Sequence, residues 1–229
     1  MARYKNKKRG SGRYFIVLAL IIGGFAVNTY MHTNHSSVFP QAVSTAGNAA
    51  SSAASANLNG TNIKSVHSPL TVSLDMNLTP GECHAKIENA ADGSVLPDPK
   101  CTPGAIDPAV TQANLSSTIC VSGYTKTVRA SSASTGKEKV VSLSQYGMNY
   151  SHTTEYDHLI SLELGGANSV SNLWPEPNKS SAAGVVNPKD KVENALNKAV
   201  CSHQVTLAAA QKAIATNWTT AESTLGIAQ

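Results

Sequence analysis

The stretch EYDHLISLELGGANSVSNLWPE, Glu155 to Glu176, decides the fold. It carries Asp157 and His158 side by side, then Gly165-Gly166, then Asn172 ahead of Leu173-Trp174. Tyr156, His158, Ile160 and Leu162 fall on one parity, the alternation of a half-buried strand. Gly165-Gly166 breaks or turns that strand, and SVSNLW supplies a second short extended piece. Adjacent residues of a regular strand face opposite ways. Asp157 and His158 therefore serve one site only where the strand ends or twists. Asn172 lies across the turn, where its amide can bond backbone over the loop and fix the approach of His158.

Downstream, NPKDKVENALNKAVC reads as a helix with a legible start. Asn187 is the cap, Pro188 takes the first helical position and Asp190 lies in the first turn. Val192, Leu196, Ala199 and Val200 form its apolar face, while Asp190, Asn194 and Asn197 form a separate polar stripe. A last helix, TLAAAQKAIATNW, is capped by Thr206 and packs through Leu207, Ala210, Ile214 and Trp218. Upstream, Leu70, Val72 and Leu74 alternate like a strand. Residues 91–110 are punctuated by Pro97, Pro99, Pro103, Pro108, Gly93 and Gly104, the texture of irregular chain with turns. A short strand or turn is expected around Ile119 to Val121, and a helix near Gly136.

The N-terminal part differs in kind. Arg3, Lys5, Lys7, Lys8, Arg9 and Arg13 precede the apolar run YFIVLALIIGGFAV, Tyr14 to Val27, with no acid among them. Its core of about 13 residues is short for a membrane span and suits a secretion signal, with retention as a single-pass anchor the alternative. Residues 28–68 are rich in Ser, Ala and Asn and have little to bury, as in a tether or a disordered propeptide. Either reading places residues 69–229, the expected folded domain, secreted or anchored on the outer side of the cytoplasmic membrane.

Removing the six head charges from 18 Lys and Arg leaves 12 against 14 acids, a net of −2 over the rest of the 229 residues. Bulk charge therefore does not grip a polyanion, and any phosphate chemistry must come from a local site. The four cysteines, Cys83, Cys101, Cys120 and Cys201, all follow the apolar run. An even number in an exported chain points to two disulfides. Of three pairings, Cys83–Cys101 closes a short local loop and Cys120–Cys201 ties the last helices to the segment before the site. A zinc-thiolate cluster is the rival, but the cysteines are not spaced as close pairs.

Hydrolysis of a phosphodiester needs a water that loses a proton and stabilisation of charge on the phosphate and the departing oxygen. A histidine suits the first role because its neutral form exists near pH 7. A carboxylate that holds Mg²⁺ suits the second. Strand, glycine-containing turn, strand and helix resemble the ββα-metal unit, and DHLISLELGGANSVSNLWPE resembles the Asp-His, Gly-Gly, Asn-Leu pattern of HNH endonucleases. The chain looks most like a secreted bacterial subgroup of HNH-like proteins. CTPGA at Cys101 to Ala105, TIC at Thr118 to Cys120, NLWPEP at Asn172 to Pro177 and Lys-Asp-x-x-Glu-Asn at Lys189 to Asn194 carry that resemblance over roughly residues 95–218.

The resemblance implies an α+β fold: a ββα-metal core over about 153–201, an irregular disulfide-stapled N-terminal part and a C-terminal helix. It makes Asp157 a metal ligand, His158 the general base and Asn172 the residue that holds the ββ loop. The third HNH position falls on Asn194 or on Asp190, which the helix start also claims. The implied activity is an exported endonuclease with low sequence preference, acting on DNA and on RNA as second substrate. The implied cofactor is a divalent ion, Mg²⁺ first and Mn²⁺ next; the partner is nucleic acid, and the chain acts as a monomer. The competing readings are a noncatalytic envelope module on the same scaffold and His158 as a structural histidine.

Overall fold

The computed structural model describes residues 61–179 and 187–227. All described residues belong to one compact unit, Asn48–Gln229. The basic head, the apolar run and most of the Ser/Ala/Asn-rich segment lie outside the described residues. Among the described residues no helix is long and apolar enough to cross a membrane. The longest described helices have 14 residues, a rise of about 21 Å against a hydrocarbon core of about 30 Å. The membrane-anchored option is corrected to this extent: no described helix supplies a span, and the apolar run itself lies outside the described residues.

The described chain is a mixed α+β fold. Strand β1 (Lys64–Ser65) pairs in parallel with β4 (Ala105–Ile106). Strands β2 (Lys86–Asn89) and β3 (Ser94–Leu96) form an antiparallel pair, as do β5 (Thr154–His158) and β6 (Leu173–Pro177). Helices α1 (Tyr124–Val128) and α2 (Ser132–Gln145) precede the β5–β6 hairpin. Helices α3 (Pro188–Cys201), α4 (Leu207–Asn217) and α5 (Ala221–Thr224) follow it. The N-terminal region is linked by Cys83–Cys101, and Cys120–Cys201 joins the segment before α1 to the end of α3.

Local chemistry explains these boundaries. At the start of α3, Asn187 Oδ1 accepts from the Asp190 backbone N–H and Asp190 Oδ2 accepts from the Asn187 N–H. Reciprocal capping satisfies two of the helix's orphan donors, and Pro188 at the first position loses nothing by lacking an N–H. Leu196 and Val200 are buried and pack with Ile106, Leu164, Leu207, Ile214 and Trp218 in the main core, and Ala199 beside them is buried too. A second cluster joins Cys83, Val95, Tyr146, Leu159 and Trp174 behind the hairpin.

Two strand expectations fail. Residues 70–74 form no strand: Val72 is buried at 6% exposure, but Leu70 and Leu74 stay 61% and 50% exposed. Val72 is held instead by Ser134 of α2, whose hydroxyl accepts from its N–H and donates to its carbonyl. The β-like parity after Glu155 also stops at His158, and Leu162–Leu164 form a 3₁₀ turn. The Asn172 side chain causes this stop by taking both backbone groups of Ile160, which then have none to offer a neighbouring strand.

Cys120–Cys201 spans a sequence separation of 81 residues. Closing so long a loop restricts the unfolded chain, so its loss should cost about 2–5 kcal/mol. Denaturant unfolding of Cys120→Ala/Cys201→Ala against wild type measures this. Thiol counting on oxidised native protein should return no reactive cysteine, and four reactive thiols with unchanged stability would contradict the crosslinked fold.

Candidate functional site

The site is built where β5 ends against the first turns of α3. In the hairpin Glu155 pairs with Glu176, Asp157 with Trp174 and His158 with Leu173. Between the strands, the chain from Leu159 to Ser171 folds around Asn172, which is fully buried just before β6. Asn172 Oδ1 accepts from Ile160 N at 2.9 Å and from Ala105 N at 3.3 Å, and its Nδ2 donates to the Ile160 and Ala167 carbonyls. Its amide thus ties together both sides of the loop and β4. Gly166 is required there, since a Cβ would stand 1.8 Å from the Ile160 carbonyl oxygen.

His158 and Asp157 are adjacent but turn to different partners, as the pleat dictates. His158 is buried, with Nε2 3.0 Å from Asn168 Oδ1. Asn168 is itself fixed: its Nδ2 donates to the Val128 carbonyl at 2.6 Å and the Pro69 carbonyl at 2.8 Å, and its N–H donates to Ser68 Oγ. With both amide hydrogens committed, Asn168 can present only oxygen to the ring. The neutral imidazole must therefore carry its hydrogen on Nε2, leaving the lone pair on Nδ1. Among the described residues Nδ1 has no hydrogen-bond partner, and it is not one of the sealed polar atoms. Burial, opposed by Asp157 and Asn168, pushes the His158 pKa down to about 4. The ring is neutral at physiological pH.

Asp157 points to α3. Its Oδ2 accepts from Lys189 Nζ at 2.6 Å. The same ammonium donates to the His158 carbonyl at 2.7 Å and to Glu193 Oε1, so each of its three hydrogens has an acceptor. Lys189 has no exposed surface. Burial alone would push its ammonium towards neutrality, but the Asp157, Glu193 and Glu176 carboxylates outweigh it and raise the pKa well above the usual value. Burial likewise works against ionised Asp157, and Lys189 and His158 overcome it to leave the carboxyl below its usual range. Glu193 and Glu176 are raised, first by burial and then by the Asp157 charge. Glu155 is raised to about 7 by burial and by Asp157 and Asp190; its Oε2 accepts from Asn187 and Asn178.

The expected metal ligands do not converge. Asp157 is taken by Lys189, and the Asp190 side chain caps α3. Asn194 is exposed and bonds within its own helix, to the Asp190 carbonyl. Asn197 of the same stripe reaches the Glu163 carbonyl instead. Among the described residues no group of three or more His, Cys, Asp or Glu side chains is arranged to hold a metal ion. The metal-binding expectation is corrected on these grounds. Asp190, Asn194, Glu193, Glu163, Ser161 and Arg129 line a cleft of about 260 Å³, with three carboxylates against one guanidinium.

Asn168, Lys189, Glu193 and Glu176 were missed by sequence reasoning. One signal was available: Lys189, Glu193, Leu196 and Val200 recur at helical spacing along one buried face. A lysine and a glutamate four apart on an apolar stripe mark a buried ion pair. Nothing comparable marks Asn168, whose anchors Ser68, Pro69 and Val128 lie 40 to 100 residues away in sequence. No protein-family model, no curated protein and no solved structure matches the chain. The HNH-like resemblance therefore stands on the residues that carry it.

Asn172→Ala would take the side-chain partner from the Ile160 and Ala105 N–H groups and the Ile160 carbonyl, while the Ala167 carbonyl keeps the Ser169 N–H. Its cost should reach roughly 3–5 kcal/mol by denaturant unfolding, beyond a typical single hydrogen bond. For His158 the folded pKa of about 4 lies below the unfolded value near 6.5. The unfolded state then binds more protons between these values, so stability is fully present above 6.5 and lost as pH falls towards 4. The loss is on the order of 3 kcal/mol. Comparing acid unfolding of wild type and His158→Gln should show a shallower slope in the variant over that window.

Proposed function

We propose that the domain is a phosphodiesterase acting on nucleic acid, DNA first and RNA second, on a ββα unit of the HNH type. The observation that carries this is the fixed tautomer of His158: Asn168 holds Nε2–H and leaves the Nδ1 lone pair unpaired. A neutral imidazole oriented in this way can take a proton from water as its oxygen bonds to phosphorus, while the P–O bond to the departing sugar oxygen breaks and that oxygen takes a proton from solvent. The β5–β6–α3 arrangement and the Asn172 clamp support the same reading. The two disulfides fit work in an oxidising compartment. His158 is the general base in this reading. Asn172 and Asn168 are positioning residues that hold the loop and the ring. Asp157 does not act as a metal ligand, because its carboxylate is paired with Lys189.

A second reading, a noncatalytic module, draws on the same ion pair and on the acidic cleft, which disfavours a phosphate. Plasmid and RNA cleavage by the oxidised full chain, with Mg²⁺, with Mn²⁺ and with chelator, separates the two. His158→Ala should lower the rate by at least about 100-fold, well beyond what any loss of folded protein accounts for. Cleavage by that variant within a few-fold of wild type removes His158 from the mechanism. No cleavage by wild type in any arm favours the noncatalytic module.

A further inference from the structure

The position expected to hold a divalent ion is surrounded by oxygens, yet it contains a lysine. Lys189 Nζ lies 2.6 Å from Asp157 Oδ2 and 2.7 Å from the His158 carbonyl, and it contacts Glu193 Oε1. Glu176 is also close enough to act electrostatically on Lys189 and Asp157. Two carboxylates and a carbonyl make the oxygen-only donor set that hard cations prefer. The 2.6 and 2.7 Å separations from Asp157 and the His158 carbonyl are those of charge-assisted hydrogen bonds, so the ammonium is held as a fully coordinated cation. We infer that Lys189 is the resident cation of this site: its ammonium fills an oxygen cage between β5 and α3 and excludes a divalent ion from it.

The ammonium does two jobs there that an ion would do. It neutralises Asp157, and it holds the backbone carbonyl of His158, so the end of β5 is pinned where the imidazole departs. Lys189 has no exposed surface, so it cannot touch a substrate and acts only through these partners. It is a positioning residue. Lysine delivers its charge from the helix itself, four residues before Glu193, so the cage closes as α3 docks and waits for no solute. The inference goes beyond the proposed reaction, because its readouts are ion binding and folding.

The cage is tested with Ca²⁺ on the full oxidised chain. Wild type should show no Ca²⁺-dependent rise in thermal midpoint that depends on Asp157. Lys189→Ala empties the centre of the cage and leaves its carboxylates uncompensated, so its midpoint should fall. Ca²⁺ should then bind one-to-one, at least about tenfold more tightly than to wild type, and restore part of the lost midpoint by mass action. Adding Asp157→Asn to Lys189→Ala should abolish that rescue, which a simple packing defect would not show. Folded Lys189→Ala that neither binds Ca²⁺ nor gains stability from it would overturn the inference. If Lys189→Ala does not fold without ion, folding on addition of Ca²⁺ supports it. If it folds in neither condition, the wild-type arm decides: a Ca²⁺-induced midpoint rise lost in Asp157→Asn overturns the resident-cation account, and its absence supports it.

Discussion

One ammonium holds the β5–β6 hairpin to α3. Placing a lysine fully inside the protein costs several kcal/mol in lost hydration, and only close acceptors on every hydrogen offset that cost. Lys189 has them in Asp157, Glu193 and the His158 carbonyl. Its position follows from the sequence of α3: the Asn187–Asp190 cap fixes where the helix begins, which places Lys189 on the inward face beside Leu196 and Val200. The cap, the helix face and the strand end are therefore one mechanical unit. The surrounding carboxyl groups adjust to it. Asp157 stays ionised beside the ammonium, while Glu176 and Glu193 are pushed towards their protonated forms by burial.

Much of this was legible in the chain. The start of α3 needed only Asn187, Pro188 and Asp190, because capping is local chemistry. The observed pairing of Cys83 with Cys101 and of Cys120 with Cys201 is the one favoured among three possible in sequence, because the first closes a short local loop. What escaped is non-local. Leu70, Val72 and Leu74 alternate, but only Val72 finds a partner, the Ser134 hydroxyl more than 60 residues on. Asn168 looks like an ordinary loop amide until Ser68, Pro69 and Val128 close around it. The Asp157–Lys189 pair joins residues 32 apart across two elements, and no periodicity records it.

The two halves of the Asp-His pair have different work. On one side of β5, Asp157 is consumed by structure through Lys189. On the other, His158 is oriented and kept neutral, with one nitrogen bonded to Asn168 and the other without a hydrogen-bond partner among the described residues. A fixed tautomer with an unpaired nitrogen suits the proposed proton acceptor, while burial that lowers the pKa to about 4 works against it as a base. The acidic cleft beside α3 sets a limit on this reading. A phosphate approaching there meets Glu163, Asp190 and Glu193 before Arg129 can compensate.

The state of Lys189 itself tests this account most directly. NMR of protein labelled with ¹⁵N-lysine, assigned through Lys189→Arg, reads the Nζ hydrogens of a single residue. The account predicts an ammonium with three slowly exchanging hydrogens near neutral pH, unchanged by added Mg²⁺ or chelator. A neutral amine, hydrogens exchanging as fast as those of the exposed lysines, or a signal displaced by Mg²⁺ would contradict it.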